Sequence, residues 1–160
     1  MAQDITKLSQ RIRQRRFNVY DKTNRIARGA FHAGTSYLIT ETPVDTGEAR
    51  SNWLGSVDAP NMIAIPPYVP YPTRFGPGYV PGDDPGGRKS ETANANAAIS
   101  QNDEMGRSFD CRRNEKLISR NNVLYMELLD MGWSQQSQPG WVERVLGRAI
   151  IAARKIWEAK

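Results

Sequence analysis

The chain has 160 residues, a hydrophobic fraction of 39% and a formal net charge of +5. This length favours one domain with one hydrophobic core. No run of 18 apolar residues occurs and the N-terminal segment has no apolar stretch of the secretory type, so we expect neither a membrane-spanning helix nor a signal peptide. The one cysteine, Cys111, cannot form an internal disulfide, which is typical of a protein made in a reducing cytoplasm.

Residues 4 to about 40 are predicted to form one long helix. Its apolar residues recur at steps of three, four or seven and form one stripe: Ile5, Leu8, Ile12, Val19, Ile26, Ala30, Ala33 and Tyr37. Asp4 is the predicted N-cap, and the helix must end before Pro43. Gly29 and Gly34 predict a kink or a close crossing with another helix.

Five basic residues lie within ten positions of this helix that hold no acid: Lys7, Arg11, Arg13, Arg15 and Arg16. Such a row could meet the phosphates of nucleic acid, so DNA binding through the N-terminal helix is an alternative function. The opposite face is apolar, however, and no helix-turn-helix signal follows. We therefore favour a basic row that is solvated or faces protein.

The composition of the chain changes at Pro60, where a segment rich in proline and glycine begins. Residues 49–59 are predicted to form a strand, and residues 60–87 hold eight of the ten prolines and five glycines. Proline has no backbone N–H to give to a sheet, so this segment is predicted to be an extended arm. Because its aromatic residues argue against a plain linker, we expect it to dock on a neighbour. Those residues are Tyr68, Tyr71, Phe75 and Tyr79.

After the arm, Ser90 is the predicted N-cap of a second helix over residues 91–106. Residues 115–121 and 123–133 are predicted to form two short strands or one bent hairpin. From Trp141 a regular apolar spacing predicts an amphipathic C-terminal helix. This order predicts an α+β fold, in which a small antiparallel sheet is covered by helices.

The triplet Asp45-Thr46-Gly47 raises the question of catalysis, because aspartic proteases carry their catalytic carboxylate in such a triplet. Those enzymes need two carboxylates that share a proton, and the chain has no second triplet, so a protease of this kind would have to be a homodimer. Asp followed by Thr-Gly also forms a natural turn. We therefore predict a structural turn and no enzyme activity. With one histidine, His32, and one cysteine, we expect no metal site and no cofactor.

Two segments resemble one family. "TPVDTGEARSNW", from Thr42 to Trp53, resembles the motif that follows the first helix in phage tail-completion proteins of the neck, a family that includes the lambda tail completion protein Z. The segment from Ile118 to Val142 resembles the later signature of that family, although Asp130 stands where the family prefers Glu. The signature falls on Tyr125, Gly132, Ser134, Pro139 and Gly140.

The resemblance implies a small α+β virion protein without catalysis, in which Pro43, Asp45, Thr46 and Gly47 form a structural turn. It implies a ring, with sixfold symmetry in the family, at the head-proximal end of the tail. The partners would be other copies of the chain, a head-closure protein and a tail terminator or tail tube protein. DNA would pass through the lumen without specific binding, and the protein, made in the host cytoplasm, would reside in the neck of the virion.

Arginine and aromatic side chains dominate the energy of protein interfaces. We therefore predict that contacts with neighbours are made by Arg11, Arg15, Tyr68, Tyr71, Phe75 and Tyr79. Trp133 and Trp141 flank a polar loop, and we favour a core position for them over a clamp on that loop.

Overall fold

A computed structural model describes residues 2–43, 48–68, 85–134 and 138–159. These residues form five α-helices, two strands and one 3-10 turn. The helices are α1 (Ala2–Glu41), α2 (Glu48–Ser51), α3 (Pro85–Ser108), α4 (Met126–Asp130) and α5 (Trp141–Glu158). The strands are β1 (Trp53–Val57) and β2 (Leu117–Asn121), and the 3-10 turn is Cys111–Arg113. None of the described helices is long and apolar enough to cross a membrane.

The two strands pair in antiparallel register, with Trp53 opposite Asn121 and Val57 opposite Leu117. The pairing continues one residue further at Asp58, whose N–H donates to the carbonyl oxygen of Lys116 at 2.9 Å. The Asp58 carboxylate in turn accepts from the Lys116 N–H at 3.0 Å. The sheet is small and depends on helices for its cover.

Helix α5 packs antiparallel along the C-terminal half of α1. Arg148, near the start of α5, is paired with Glu41 at the end of α1, whereas Trp157 at the other end of α5 lies 4.8 Å from the Lys22 ammonium. At the crossing, a Cβ added to Gly34 would lie 3.5 Å from the Cβ of Ala149. The predicted close helix crossing is therefore confirmed.

The core lies where α1, α3, α5 and β1 meet. It consists of Leu38, Ile39, Trp53, Ala95, Ala98, Trp141 and Val145. Helix α3 is joined to the sheet by polar contacts as well, because the fully buried Asn102 donates to the carbonyl oxygen of Trp53 at 2.7 Å. Trp141 thus has the predicted core position, but Trp133 is 75% exposed and the core prediction for it is wrong.

The structure confirms the predicted α+β class, the long first helix, the antiparallel sheet and the middle and C-terminal helices. The predicted strand over residues 123–133 is wrong, because this segment contains α4 and β2 pairs with β1 instead. Apolar residues there occupy nearly every position, so the segment lacks the alternation of a half-buried strand.

Several predicted element ends also need correction. The strand predicted over residues 49–59 begins only at Trp53, because Glu48–Ser51 form α2. Helix α1 begins at Ala2, so Asp4 lies in its first turn instead of capping it. Helix α3 begins at Pro85, so Ser90 is not its N-cap and the last residues of the predicted arm are helical. A helix accepts proline readily in its first turn, where the missing N–H would have no partner in the helix. Most of the predicted arm, residues 69–84, lies outside the described residues.

Candidate functional site

The segment that follows α1 forms a hydrogen-bonded joint between α1 and β1. The indole N–H of Trp53 donates to Thr42 Oγ1 at 2.7 Å, and the Thr42 hydroxyl donates to the Leu38 carbonyl oxygen. Arg50 Nη2 donates to the carbonyl oxygens of Thr40 and Thr42 at 3.1 and 3.0 Å. These carbonyls lie at the end of a helix, where the backbone has no partner within the helix. The joint therefore fixes the direction of the chain after α1.

Asn52, which is fully buried, attaches the beginning of the predicted arm to this joint. Its side chain donates to the Ile65 carbonyl oxygen at 2.7 Å and accepts from the Ile65 N–H at 2.8 Å. Three residues further, the Tyr68 N–H donates to Ser51 Oγ at 3.4 Å, and partial burial raises the pKa of the Tyr68 phenol. Residues 60–68 are therefore held against the body of the protein.

Four residues of the first family-like motif, Thr42, Arg50, Asn52 and Trp53, thus have structural roles in the joint. Pro43 is also buried there. Asp45, Thr46 and Gly47 lie outside the described residues, so their role as a turn stays a prediction.

The second family-like segment forms the entry into α5. Gly132 has a φ of 89°, and a Cβ there would lie 2.6 Å from Pro139 Cγ, so this position requires glycine. The Asp130 carbonyl oxygen accepts from the Gly140 N–H at 2.7 Å, and its carboxylate accepts from the Val142 N–H at 3.0 Å. Asp130 therefore supplies an acceptor to the first turn of α5, a position where negative charge is favourable.

The other signature residues lie around this entry. The Tyr125 hydroxyl donates to Glu48 Oε2 at 3.2 Å, which connects α4 to α2. Ser134 is half-buried, and Gly140 has a φ of 68° directly before α5. The residues of the second family-like segment thus form the corner between α4 and α5.

The apolar stripe on the first half of α1 is not covered by the rest of the described protein. Helix α5 ends at Glu158, next to Lys22, so its cover of the apolar stripe stops there. The stripe continues without cover through Val19, Ile12, Leu8 and Ile5, whose side chains are 57–69% exposed. We call residues 2–19 the α1 overhang; it is about 27 Å long at 1.5 Å per residue.

A second exposed apolar surface lies around α4, at the opposite end of α1. It consists of Leu124, Leu128, Met131 and Trp133, which are 100%, 38%, 62% and 75% exposed. Leu128 and Met131 are three residues apart at the end of α4 and therefore share one side of it, and Leu124 lies in the turn before α4. We call these four residues the α4 patch. A monomeric protein rarely exposes several large apolar side chains together unless they bind something.

A basic groove lies beside the overhang, where α1 meets the 3-10 turn. It has a volume of about 290 Å³ and is lined by Arg13, Arg16, Phe17, Tyr20 and Arg112. Two of its arginines are already engaged, because Arg16 Nε donates to the Tyr20 hydroxyl at 3.1 Å and Arg112 is paired with Asp110 at 2.7 Å. Hydrogen bonds from Arg112 hold the pKa of Asp110 well below its usual range.

The predicted interface residues are only partly described. Arg11 and Arg15 are exposed on the overhang, as an interface role requires, and Tyr68 is 39% exposed. Tyr71, Phe75 and Tyr79 lie outside the described residues. The α4 patch was not predicted, although large apolar residues next to the turn residues Gly132 and Pro139 are a signal that could have indicated it.

Within the described ranges, no group of three or more His, Cys, Asp or Glu side chains could hold a metal ion. The one histidine, His32, is exposed on α1 and lies 2.5 Å from the Asp103 carboxylate of α3. This pair therefore connects two helices at the surface.

Comparisons with protein-family models, curated proteins and solved structures found no match to this chain.

Proposed function

We propose that this protein is a structural protein of a bacteriophage virion that forms a ring in the neck and takes part in tail completion and head–tail joining. The observation that carries the proposal is the pair of uncovered apolar surfaces, the α1 overhang and the α4 patch, at opposite ends of a small folded body. A subunit of a closed ring needs two different surfaces that bind each other.

The residues that resemble the tail-completion family support the same function. Thr42, Arg50, Asn52 and Trp53 hold the joint after α1, and Gly132, Pro139 and Gly140 form the corner before α5. The described residues of each motif thus make contacts that hold the fold together. The partners we propose are other copies of the chain, a head-closure protein and a tail terminator or tail tube protein.

Deletion of the gene from the phage that encodes it tests the function. We expect filled heads and separate complete tails in electron micrographs of the lysate, with joined particles restored when the wild-type gene is supplied in trans. A second complementation uses the gene with Arg50→Ala and Trp53→Ala, two substitutions that remove hydrogen bonds of the joint after α1. Normal numbers of joined particles from the deletion mutant would contradict the proposal.

DNA binding is a second candidate function because the basic groove combines three arginines with two aromatic rings. Such a site could hold a phosphate and stack a base. Replacement of Arg11, Arg13, Arg15 and Arg16 by Ala would then abolish DNA retention, and the wild-type affinity would fall steeply with salt. Equal retention by the wild-type and the substituted protein would reject this candidate.

A further inference from the structure

We infer that copies of this chain join head to tail, with the α1 overhang of one copy packed on the α4 patch of the next. This inference deepens the proposed function, and rests on it, because it names the two surfaces that would build the ring. Both surfaces are apolar: Ile5, Leu8, Ile12 and Val19 on one, and Leu124, Leu128, Met131 and Trp133 on the other.

The charges of the two surfaces are complementary. Residues 2–20 hold five basic residues and one acid, a net charge of +4, whereas residues 124–134 hold two acids and no basic residue. Of these acids, Glu127 is exposed, and Asp130 is engaged with the first turn of α5. Arg15 occupies the stripe position between Ile12 and Val19 and is exposed, as is Glu127 on α4. Opposite charges on facing surfaces favour the correct partner and speed the encounter.

A symmetric pairing of two overhangs would bring like charges together. It would place Arg11, Arg15 and Arg16 of both helices along one apolar seam, with Asp4 as the only acid of each segment. Like charges at facing positions of paired helices are destabilising. The overhang therefore fits an apolar surface that carries an acid, and the α4 patch has the exposed Glu127 beside its apolar side chains.

The two surfaces cannot meet within one molecule. The α4 patch lies beside the C-terminal end of α1, because Tyr125 contacts Glu48 of α2 and Asp130 contacts the first turn of α5. Residue 19 and residue 41 of α1 are about 33 Å apart along the helix axis. The two surfaces thus lie at opposite ends of each copy, an arrangement that can produce a ring or a filament.

The first experiment uses two variants of the full-length protein that carry new charges on one surface each. The overhang variant is Leu8→Asp with Ile12→Asp, and the patch variant is Leu124→Asp with Met131→Asp. Ile150→Asp with Ile151→Asp is the matched control, since these α5 side chains are also exposed, at 65% and 58%. Circular dichroism checks that each variant is folded, and sedimentation velocity gives its size.

We expect oligomers larger than a dimer from the wild type and the control, and monomers from the overhang variant and the patch variant. An equimolar mixture of those two variants should form a dimer and stop there, because it contains one intact overhang and one intact patch. Oligomers from the patch variant alone would show a pairing that does not use α4 and would overturn the inference. A wild-type chain that stays monomeric at its highest soluble concentration would also overturn it.

A charge exchange tests the contact between Arg15 and Glu127. We expect Arg15→Glu and Glu127→Arg each to weaken association by about tenfold or more, as charged contacts at an interface centre do. The double variant should recover most of the wild-type affinity. If the double variant associates as weakly as the single variants, Arg15 and Glu127 do not contact each other in the interface.

The outcomes distinguish this inference from the proposed function. If both surface variants still support joined particles in the phage, the pairing is wrong while the role in the neck stands. If the purified variants behave as expected but the deletion mutant makes normal particles, the pairing stands and the role in the neck is wrong.

Discussion

Asn102 shows how a single buried polar side chain holds two elements of this fold together. It is fully buried in α3, and its Nδ2 donates to the carbonyl oxygens of Trp53 and Ala98 at 2.7 and 2.8 Å. A Cβ on Gly55 would lie 2.6 Å from Asn102 Oδ1, so the strand can approach this close only because residue 55 is glycine. The contact between β1 and α3 thus depends on two particular residues.

We therefore expect Asn102→Ala to lower the free energy of unfolding by about 1–3 kcal/mol, because it leaves the buried Trp53 carbonyl without its partner. Asn96→Ala is the matched control, since Asn96 is exposed on the same helix and its loss should change stability by less than about 0.5 kcal/mol. Urea denaturation measures both. Equal effects at the two positions would contradict this role of Asn102.

Asp110 gives the fold a dependence on pH. Its carboxylate accepts from the backbone and side chain of Arg112 and from Asn24, and the Arg112 bonds hold its pKa well below the ordinary value of 3.8. A lowered pKa stabilises the fold above pH 3.8, and this contribution is lost as the pH falls further through the lowered value. The 3-10 turn is thus attached to α1 by a bond that acid weakens.

The corresponding prediction is that Asp110→Asn lowers stability at pH 7 and makes the loss of stability below about pH 4 less steep. Urea denaturation at a series of pH values measures this slope. Arg112→Met should flatten the slope in the same direction because it removes the main cause of the shift. An Asp110→Asn variant with the wild-type slope would exclude this carboxylate as its source.

At the scale of elements, α1 has two halves with different environments. From about Tyr20 onward it contacts the 3-10 turn, α3 and α5, since the Tyr20 carbonyl oxygen accepts from Cys111 Sγ at 3.6 Å and Trp157 lies next to Lys22. The overhang has no such cover. Local opening is easiest where few apolar side chains are buried, so the two halves should differ in local stability.

Hydrogen exchange on the monomeric patch variant should therefore show fast exchange at the amides of residues 5–12 and slow exchange at those of residues 32–39. In wild-type oligomers the first segment should become protected, because the overhang is then covered. Mass spectrometry of peptides from the two samples measures this. Equally fast exchange of residues 5–12 in both samples would place the overhang outside the interface.

The elements that the sequence predicted well are those with strong local signals. The apolar spacing of α1 and α5 and the proline after α1 predicted both helices. An antiparallel sheet was predicted, but the partner of β1 and its register were not predictable in the same way, since Trp53 and Asn121 are far apart in the chain. Helix α3 was predicted to begin too late because Gly86 and Gly87 disfavour a helix, whereas Pro85 favours its first turn.

The sequence predicted the types of residue at the candidate site better than it predicted their positions. Arginines of the first helix were expected to face protein, and the exposure of Arg11 and Arg15 is compatible with that. The uncovered state of Ile5, Leu8 and Ile12 was not predictable, because the stripe is the same where α5 covers it and where it does not. Which part of an amphipathic helix is buried depends on the length and position of its partner.

At the scale of the whole molecule, the subunit has two ends that we propose bind each other. The joint after α1 and the corner before α5 connect the helices and the sheet of the body by hydrogen bonds. The overhang has an excess of positive charge and α4 holds two acids, so the two ends of the subunit differ in charge. A ring of identical copies requires two different binding surfaces on each copy.

The most direct measurement is a cryo-electron microscopy reconstruction of the head–tail junction of intact particles. We predict a closed ring of copies of this chain around the DNA channel, with the α1 overhang of each copy on the α4 patch of its neighbour. A junction with no density for this protein would contradict the account.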